Sequence, residues 1–270
     1  SLGIGEPDFV TPEPILNAGI ESLQRGDTHY TSNSGIIELR QSLNKHLLKL
    51  YSVEYNPDTE ILITVGVSEA LYLALSAILD PGDEVIVPEP CFVAYTAEVT
   101  LAGGIPVTIP TRVENNFQVT GEEVAKAITP RTKAILIGYP NNPTGVYLGQ
   151  AGFDRLVAEL PARVLLVVDE AYFEFASAAD YPDARKYLLR RARMATLRTF
   201  SKIYGLAGLR VGYLISSAEV CDYVNRIRLP FNVAAPAQAA ALAALDDGPH
   251  VARARQGNDV ELPRLSEALA

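Results

Sequence analysis

A chain of 270 residues has the length for one large hydrophobic core or two modest ones. Apolar side chains make up 48% and charged ones 20%, a composition that argues against a disordered chain. The 32 acids outnumber 23 bases, and the net charge of −9 disfavours a general role on nucleic acid or an anionic membrane while leaving room for a local basic pocket. Two cysteines, Cys91 and Cys221, cannot build a disulfide framework and suit a reducing, cytoplasmic setting. His29, His46 and His250 are scattered and form no metal-binding motif. No apolar run reaches the ~18 residues of a membrane span. The chain opens at Ser1 with a Gly/Pro-rich stretch in place of a basic-then-apolar leader, and the missing initial Met suggests a fragment or a processed chain.

Residues 1–35 are rich in Gly, Pro, Ser and Thr and read as an extended arm with one helical piece near 13–25. Ile36, Leu39, Leu43, Leu47 and Leu50 then recur at helical steps, until Asn56-Pro57-Asp58 breaks the pattern. From Ile61 onward strands and helices alternate. Strands are predicted at 61–65, 84–87, 105–109, 133–138, 163–168, 194–199 and 211–215. Helices are predicted at 68–79, about 91–102, 121–128, 150–160 and 217–228. Continuous apolar strands in such alternation indicate an α/β fold with a mostly parallel central sheet between helices. Residues 236–246 are strongly helix-forming, and 249–270 read as a further helix interrupted by Pro263.

In an open parallel sheet, ligands bind beyond the carboxyl ends of the strands. Four groups lie there. Asp169 follows an apolar strand directly, so it is partly desolvated and needs a cationic partner, unless it only caps a helix. Lys202 lies in the turn after the strand 194–199, where burial makes an amine usable as a nucleophile or base; a solvated surface lysine has the same sequence. Arg210, near the hydroxyls of Thr199 and Ser201, can form a phosphate clamp or a structural ion pair. Gly66-Val67-Ser68 starts a helix whose free N–H groups attract an anion, although a simple helix cap looks the same. Neither GxGxxG nor GxxxxGK[ST] occurs, which makes a nicotinamide or nucleotide domain unlikely. An acid, an amine, a cation with hydroxyls and an anion-attracting helix start suit a cofactor with a ring nitrogen, an aldehyde and a phosphate. Pyridoxal 5′-phosphate has all three.

The ordered motifs LGIGEPDF (2–9), HYTSNSGIIELR (29–40), TVGVSEAL (64–71), DPGDEVIVPEPCFVAY (80–95), YPNNPTG (139–145), VVDEAY (167–172) and TFSKIYGLAGLRVGY (199–213) resemble those of the class I/II aminotransferases, pyridoxal-phosphate enzymes of fold type I. The resemblance implies an arm (1–35), a cofactor-binding large domain (36–248) and the start of an interdomain helix (249–270). The family's small C-terminal domain is then largely absent, and no residue here matches its arginine for the substrate carboxylate. By the same resemblance, Lys202 carries the cofactor covalently, Asp169 pairs with the ring nitrogen, and Tyr172 and Asn142 contact the ring's phenolic oxygen. Gly66, Val67, Ser68, Thr199, Ser201 and Arg210 surround the phosphate, and Phe92 stacks on the ring. Tyr30 reaches a phosphate in the partner subunit of a homodimer, and Gly5, with Asn142, lies beside the substrate.

Residues 1–145 resemble aspartate and aromatic aminotransferases, and the rest resembles histidinol-phosphate aminotransferases, so a chimera joined at the shared Asn-Asn-Pro-Thr-Gly is expected. The implied activity moves an amino group between an L-amino acid, or histidinol phosphate, and a 2-oxo acid. A C–S lyase and a non-catalytic module that binds pyridoxal phosphate share the same core motifs.

Overall fold

The computed structural model describes residues 5–269, so Leu2, Gly3 and Ile4 of the first motif lie outside the described residues. The first half comprises α1 (Glu13–Gln24), α2 (Ile37–Tyr51), β1 (Ile61–Thr64), α3 (Gly66–Ser76), β2 (Glu84–Glu89), α4 (Ala94–Leu101), β3 (Ile105–Pro110), α5 (Gly121–Ala127) and β4 (Thr132–Gly138). It continues through α6 (Gln150–Glu159), β5 (Leu165–Asp169), α7 (Arg185–Leu188), β6 (Met194–Thr199), β7 (Gly212–Ser216), α8 (Ala218–Ile227), α9 (Ala235–Asp246) and α10 (Gly248–Leu269). All seven expected strands are present, with ends shifted by a residue or two.

They form one sheet in the order β1-β7-β6-β5-β4-β2-β3. β3, β2, β4, β5 and β6 run parallel, and only β7 opposes both of its neighbours. The exception follows from connectivity: β6 returns directly as β7 through the loop 200–211, whereas parallel neighbours need a longer crossover. Successive side chains alternate between the two faces of the sheet. Leu166 and Val168 face a core shared with α1, α2, α6 and α9, while Leu165 and Val167 face a second core built with α3, α4 and α8. Burial on both faces explains why these strands are apolar throughout.

α10 continues through Pro263, where the sequence predicts a break. The carbonyl deprived of its donor belongs to Asp259, which is exposed, so water replaces the lost hydrogen bond. The start of the helix is anchored instead by His250, whose Nε2 donates to the Ile203 carbonyl at 2.8 Å and whose ring packs edge-on against Phe9.

One buried polar cluster interrupts the first core. Arg198, on β6 and 1% exposed, donates from Nε to Glu170 at 2.9 Å and from Nη1 to Glu174 at 2.8 Å. Its guanidinium also lies 3.6 Å over the Phe173 ring. Burial works against the charge, but the two carboxylates outweigh it and raise the pKa of the guanidinium. Removing the cation leaves two buried acids without their shared guanidinium, although Glu170 still accepts from the Ala184 N–H at 3.3 Å. Arg198→Met is therefore expected to lower stability by about 3–5 kcal/mol, read as a shifted urea midpoint.

Candidate active site

Strand register gathers one half of the site. Thr199, the last residue of β6, pairs with Gly212 of β7, and Gly212 in turn pairs with Thr64 of β1. α3 starts two residues after Thr64. A Cβ on Gly212 would sit 2.8 Å from the Gly66 carbonyl carbon and 2.8 Å from the Arg198 carbonyl oxygen. Only glycine lets β7 press this closely against the start of α3. Arg210, in a left-handed conformation just before β7, lays its guanidinium across that helix start, with Nη2 2.7 Å from the place a Gly66 Cβ would occupy. Arg210 Nη1 donates to the Ser201 hydroxyl at 3.2 Å and the Ala207 carbonyl at 3.1 Å, both neutral acceptors. The Ser201 N–H donates to the Thr199 hydroxyl at 3.0 Å. Among the described residues the N-cap of α3, Val65, offers the first turn no side-chain hydrogen bond, while its own N–H donates to the Glu69 carboxylate at 2.6 Å. The cation, two hydroxyls and the positive end of a helix thus meet at one point.

The opposite end of the cavity is acidic. Asp169 ends β5 and is 7% exposed. Its Oδ2 accepts from the Tyr95 hydroxyl at 2.9 Å, and its Oδ1 accepts from the Ala171 N–H at 3.0 Å. Burial raises its pKa, against the opposing pull of those two donors and the Lys202 charge. Tyr95 comes from α4 and crosses the end of β4, where Gly138 pairs with Asp169. A Cβ on Gly138 would fall 2.5 Å from the Tyr95 hydroxyl, so a side chain there would block the crossing.

Lys202, in the loop 200–211, stands between these ends. Its Nζ donates to the Gly5 carbonyl and lies 5.2 Å from the centre of the Tyr172 ring. Val67, Ser68, Phe92, Asn142, Tyr172 and Thr199 complete the walls of a cavity of about 230 Å³ with Asp169, Ser201, Lys202 and Arg210. A wider cleft of about 760 Å³ shares Tyr172 and Lys202, includes Gly5, and runs between the segment 5–12 and α10. Of the residues singled out from sequence, Gly66 lies against Arg210 without lining either cavity, and Tyr30 stands apart: it is 83% exposed and stacks on Phe231 at 4.2 Å. The structure adds Tyr95 and Glu98 from α4, and Leu71 from α3, to the cavity wall. Tyr95 follows Phe92 by three residues, a spacing that puts both on one side of a helical turn and that was the available signal.

The donor set fits pyridoxal 5′-phosphate. A desolvated carboxylate suits a protonated ring nitrogen, and the Phe92 ring suits a planar face. Arg210, the hydroxyls of Thr199 and Ser201 and the uncapped start of α3 suit a phosphate.

Known proteins agree with this geometry. The model of a family described as aminotransferase class I and II matches residues 1–269. Histidinol-phosphate aminotransferase of Moorella thermoacetica is 44% identical over 199 residues, which is 73% of this chain and 51% of that protein. Aromatic-amino-acid aminotransferase 2 of Thermococcus litoralis is 36% identical over 255 residues, covering 92% of this chain and 64% of that protein. The chain therefore spans less than two thirds of the length of either relative. A solved aspartate aminotransferase from Thermus thermophilus, a single mutant, has the same fold: the TM-score is 0.92 at 33% identity, over 98% of this chain and 71% of the other. The family match covers residues 1–269 as one range, with the Asn-Asn-Pro-Thr-Gly segment inside it. The cavity at the carboxyl edge of the sheet and the match along the sequence lead to the same conclusion, that this chain belongs to the class I and II aminotransferases.

Proposed function

We propose that the chain binds pyridoxal 5′-phosphate and serves the transfer of an amino group between an L-amino acid and a 2-oxo acid. The observation that carries this reading is a single cavity with the Asp169 carboxylate at one end, the Arg210 cation at the other and the Lys202 amine between them. When bound, pyridoxal phosphate supplies an aldehyde that condenses with amines and a ring that withdraws electrons from the carbon next to the amine. Asp169 holds the charge that keeps the ring nitrogen protonated, and Tyr95 fixes that carboxylate in place. Arg210, Ser201, Thr199 and the first turn of α3 hold the phosphate. Nζ of Lys202 would take the proton from the α-carbon of the amino acid donor and, in the second half of the exchange, would supply the proton that the newly formed amino acid gains at its own α-carbon. Asn142 and Tyr172 orient the phenolic oxygen of the ring, and Gly5 borders the substrate.

The three-part division at 35 and 248 goes with this reading: arm, cofactor-binding unit and the beginning of an interdomain helix. We also place the protein in the cytoplasm. Cys91 and Cys221 are unpaired, and among the described residues no helix is long and apolar enough to cross a membrane. The active form is a homodimer. Supporting this, Tyr30 and Phe231 form an exposed aromatic pair beside Leu229, itself 75% exposed.

Adding pyridoxal phosphate to the chain is expected to produce the visible absorbance of a lysine-bound cofactor, and Lys202→Ala to abolish it; an unchanged spectrum in the variant refutes the assignment. Tyr95→Phe and Gly138→Ala both deprive Asp169 Oδ2 of its Tyr95 donor, leaving the Ala171 N–H on Oδ1, and are expected to weaken cofactor binding about tenfold in an equilibrium titration. Sedimentation is expected to give the mass of two chains, and joint replacement of Tyr30 and Phe231 by Ala to shift it towards one. Product analysis separates the chemistries. Transamination needs an oxo-acid acceptor, whereas pyruvate and ammonia released without one indicate the lyase, and cofactor binding without turnover indicates a non-catalytic module.

A further inference from the structure

α4 brings a second acid to the cavity. Glu98 lies one helical turn beyond Tyr95 and lines the wall that Asp169 also lines. Its Oε2 is buried and, among the described residues, has no hydrogen-bond partner. The two carboxyl groups are therefore unequal: Asp169 has a donor on each oxygen, while the inner oxygen of Glu98 has none. A buried oxygen without a donor is poorly placed to carry charge and well placed to carry a proton.

Charges around Glu98 reinforce the difference. From β5 it faces Asp169, whose charge opposes its ionisation. From α4 itself comes the neutral phenol of Tyr95, and from the preceding loop comes Cys91, whose thiol is pushed up by burial and by Glu89. α3 contributes the uncharged Val67, Ser68 and Leu71 to the cavity wall, and the cations Lys202 and Arg210 belong to the loop beyond β6. Burial, then Asp169, pushes the Glu98 pKa up to about 7.

We propose that Glu98 is a positioning residue for the ring-nitrogen end of the cofactor site: it carries the one proton of a two-carboxyl pair, leaves the charge on Asp169, and on ionising adds a second negative charge beside the ring nitrogen. The inference rests on the assignment of this cavity to pyridoxal phosphate. Its consequence is that the proton on the bound ring becomes harder to remove once Glu98 has lost its own.

The test uses the full chain freed of cofactor and pyridoxine 5′-phosphate as the probe, since this molecule keeps the ring nitrogen and the phosphate but has no aldehyde for Lys202. The pH at which the bound ring loses its proton is read from the absorbance of the probe. The parent is expected to hold that proton to a pH about one unit higher than Glu98→Gln. Glu98→Met, equally uncharged but without a polar head, is expected to match Glu98→Gln. A second readout needs no ligand. The folded chain holds the Glu98 proton more tightly than the unfolded chain does. Stability contributed by that proton is complete below the ordinary glutamate value and is lost as pH rises towards about 7. Thermal unfolding is thus expected to favour Glu98→Gln over the parent increasingly across that interval. Identical ring titrations in parent and Glu98→Gln, or a stability gap that does not change with pH, overturns the role of Glu98 alone. Failure of the parent to bind pyridoxine 5′-phosphate at any pH overturns the cavity assignment and this inference with it.

Discussion

Asp169 accepts hydrogen bonds from Tyr95 and from the Ala171 N–H and has lost nearly all contact with water. A carboxylate in that position is held at a cost, because desolvation favours its neutral form. The two donors and the nearby Lys202 amine offset part of the cost. Much of the surrounding structure serves this placement. Gly138 clears the path for the Tyr95 ring, and the pairing of β4 with β5 sets the two residues side by side.

Asp169 and Glu170 are consecutive acids with different duties. Strand alternation turns Asp169 towards α3 and α4, where the cavity lies, and Glu170 towards the opposite layer, where Arg198 binds it. The Arg198 fork to Glu170 and Glu174 fixes the segment that follows β5, and Tyr172 lies within that segment. The charged cluster on one face of the sheet and the cavity on the other are therefore built on the same few residues, and rigidity in one gives precision in the other.

Local pattern was enough to read the sheet and most helices, because strands buried on both faces are apolar without interruption and the helices keep their own period. The positions of Asp169, Lys202, Arg210 and Gly66 at strand ends were legible for the same reason. Other features depend on contacts between distant parts of the chain. The spacing from Phe92 sets Tyr95 on the side of the cavity, but it does not announce that the hydroxyl crosses β4 to reach an acid 74 residues away. Glu98 looks in sequence like any surface acid of an amphipathic helix. Glu170 and Arg198 look like ordinary charged residues until pairing of β5 with β6 brings them together. Pro263 misled in the other direction, since a proline rule written for helix interiors loses force where the deprived carbonyl is wet.

α10 is tied at its near end to two loops of the cavity. His250 holds the carbonyl of Ile203, next to Lys202, and Arg255 donates to the carbonyl of Glu174, two residues past Tyr172. Its 22 residues make a rod about 33 Å long, and most of the far half is exposed. A rod pinned at one end is a lever: a load applied to its free end bears on the loops that carry Lys202 and Tyr172 together, so that a force on the outer turns of α10 has mechanical purchase on the cavity.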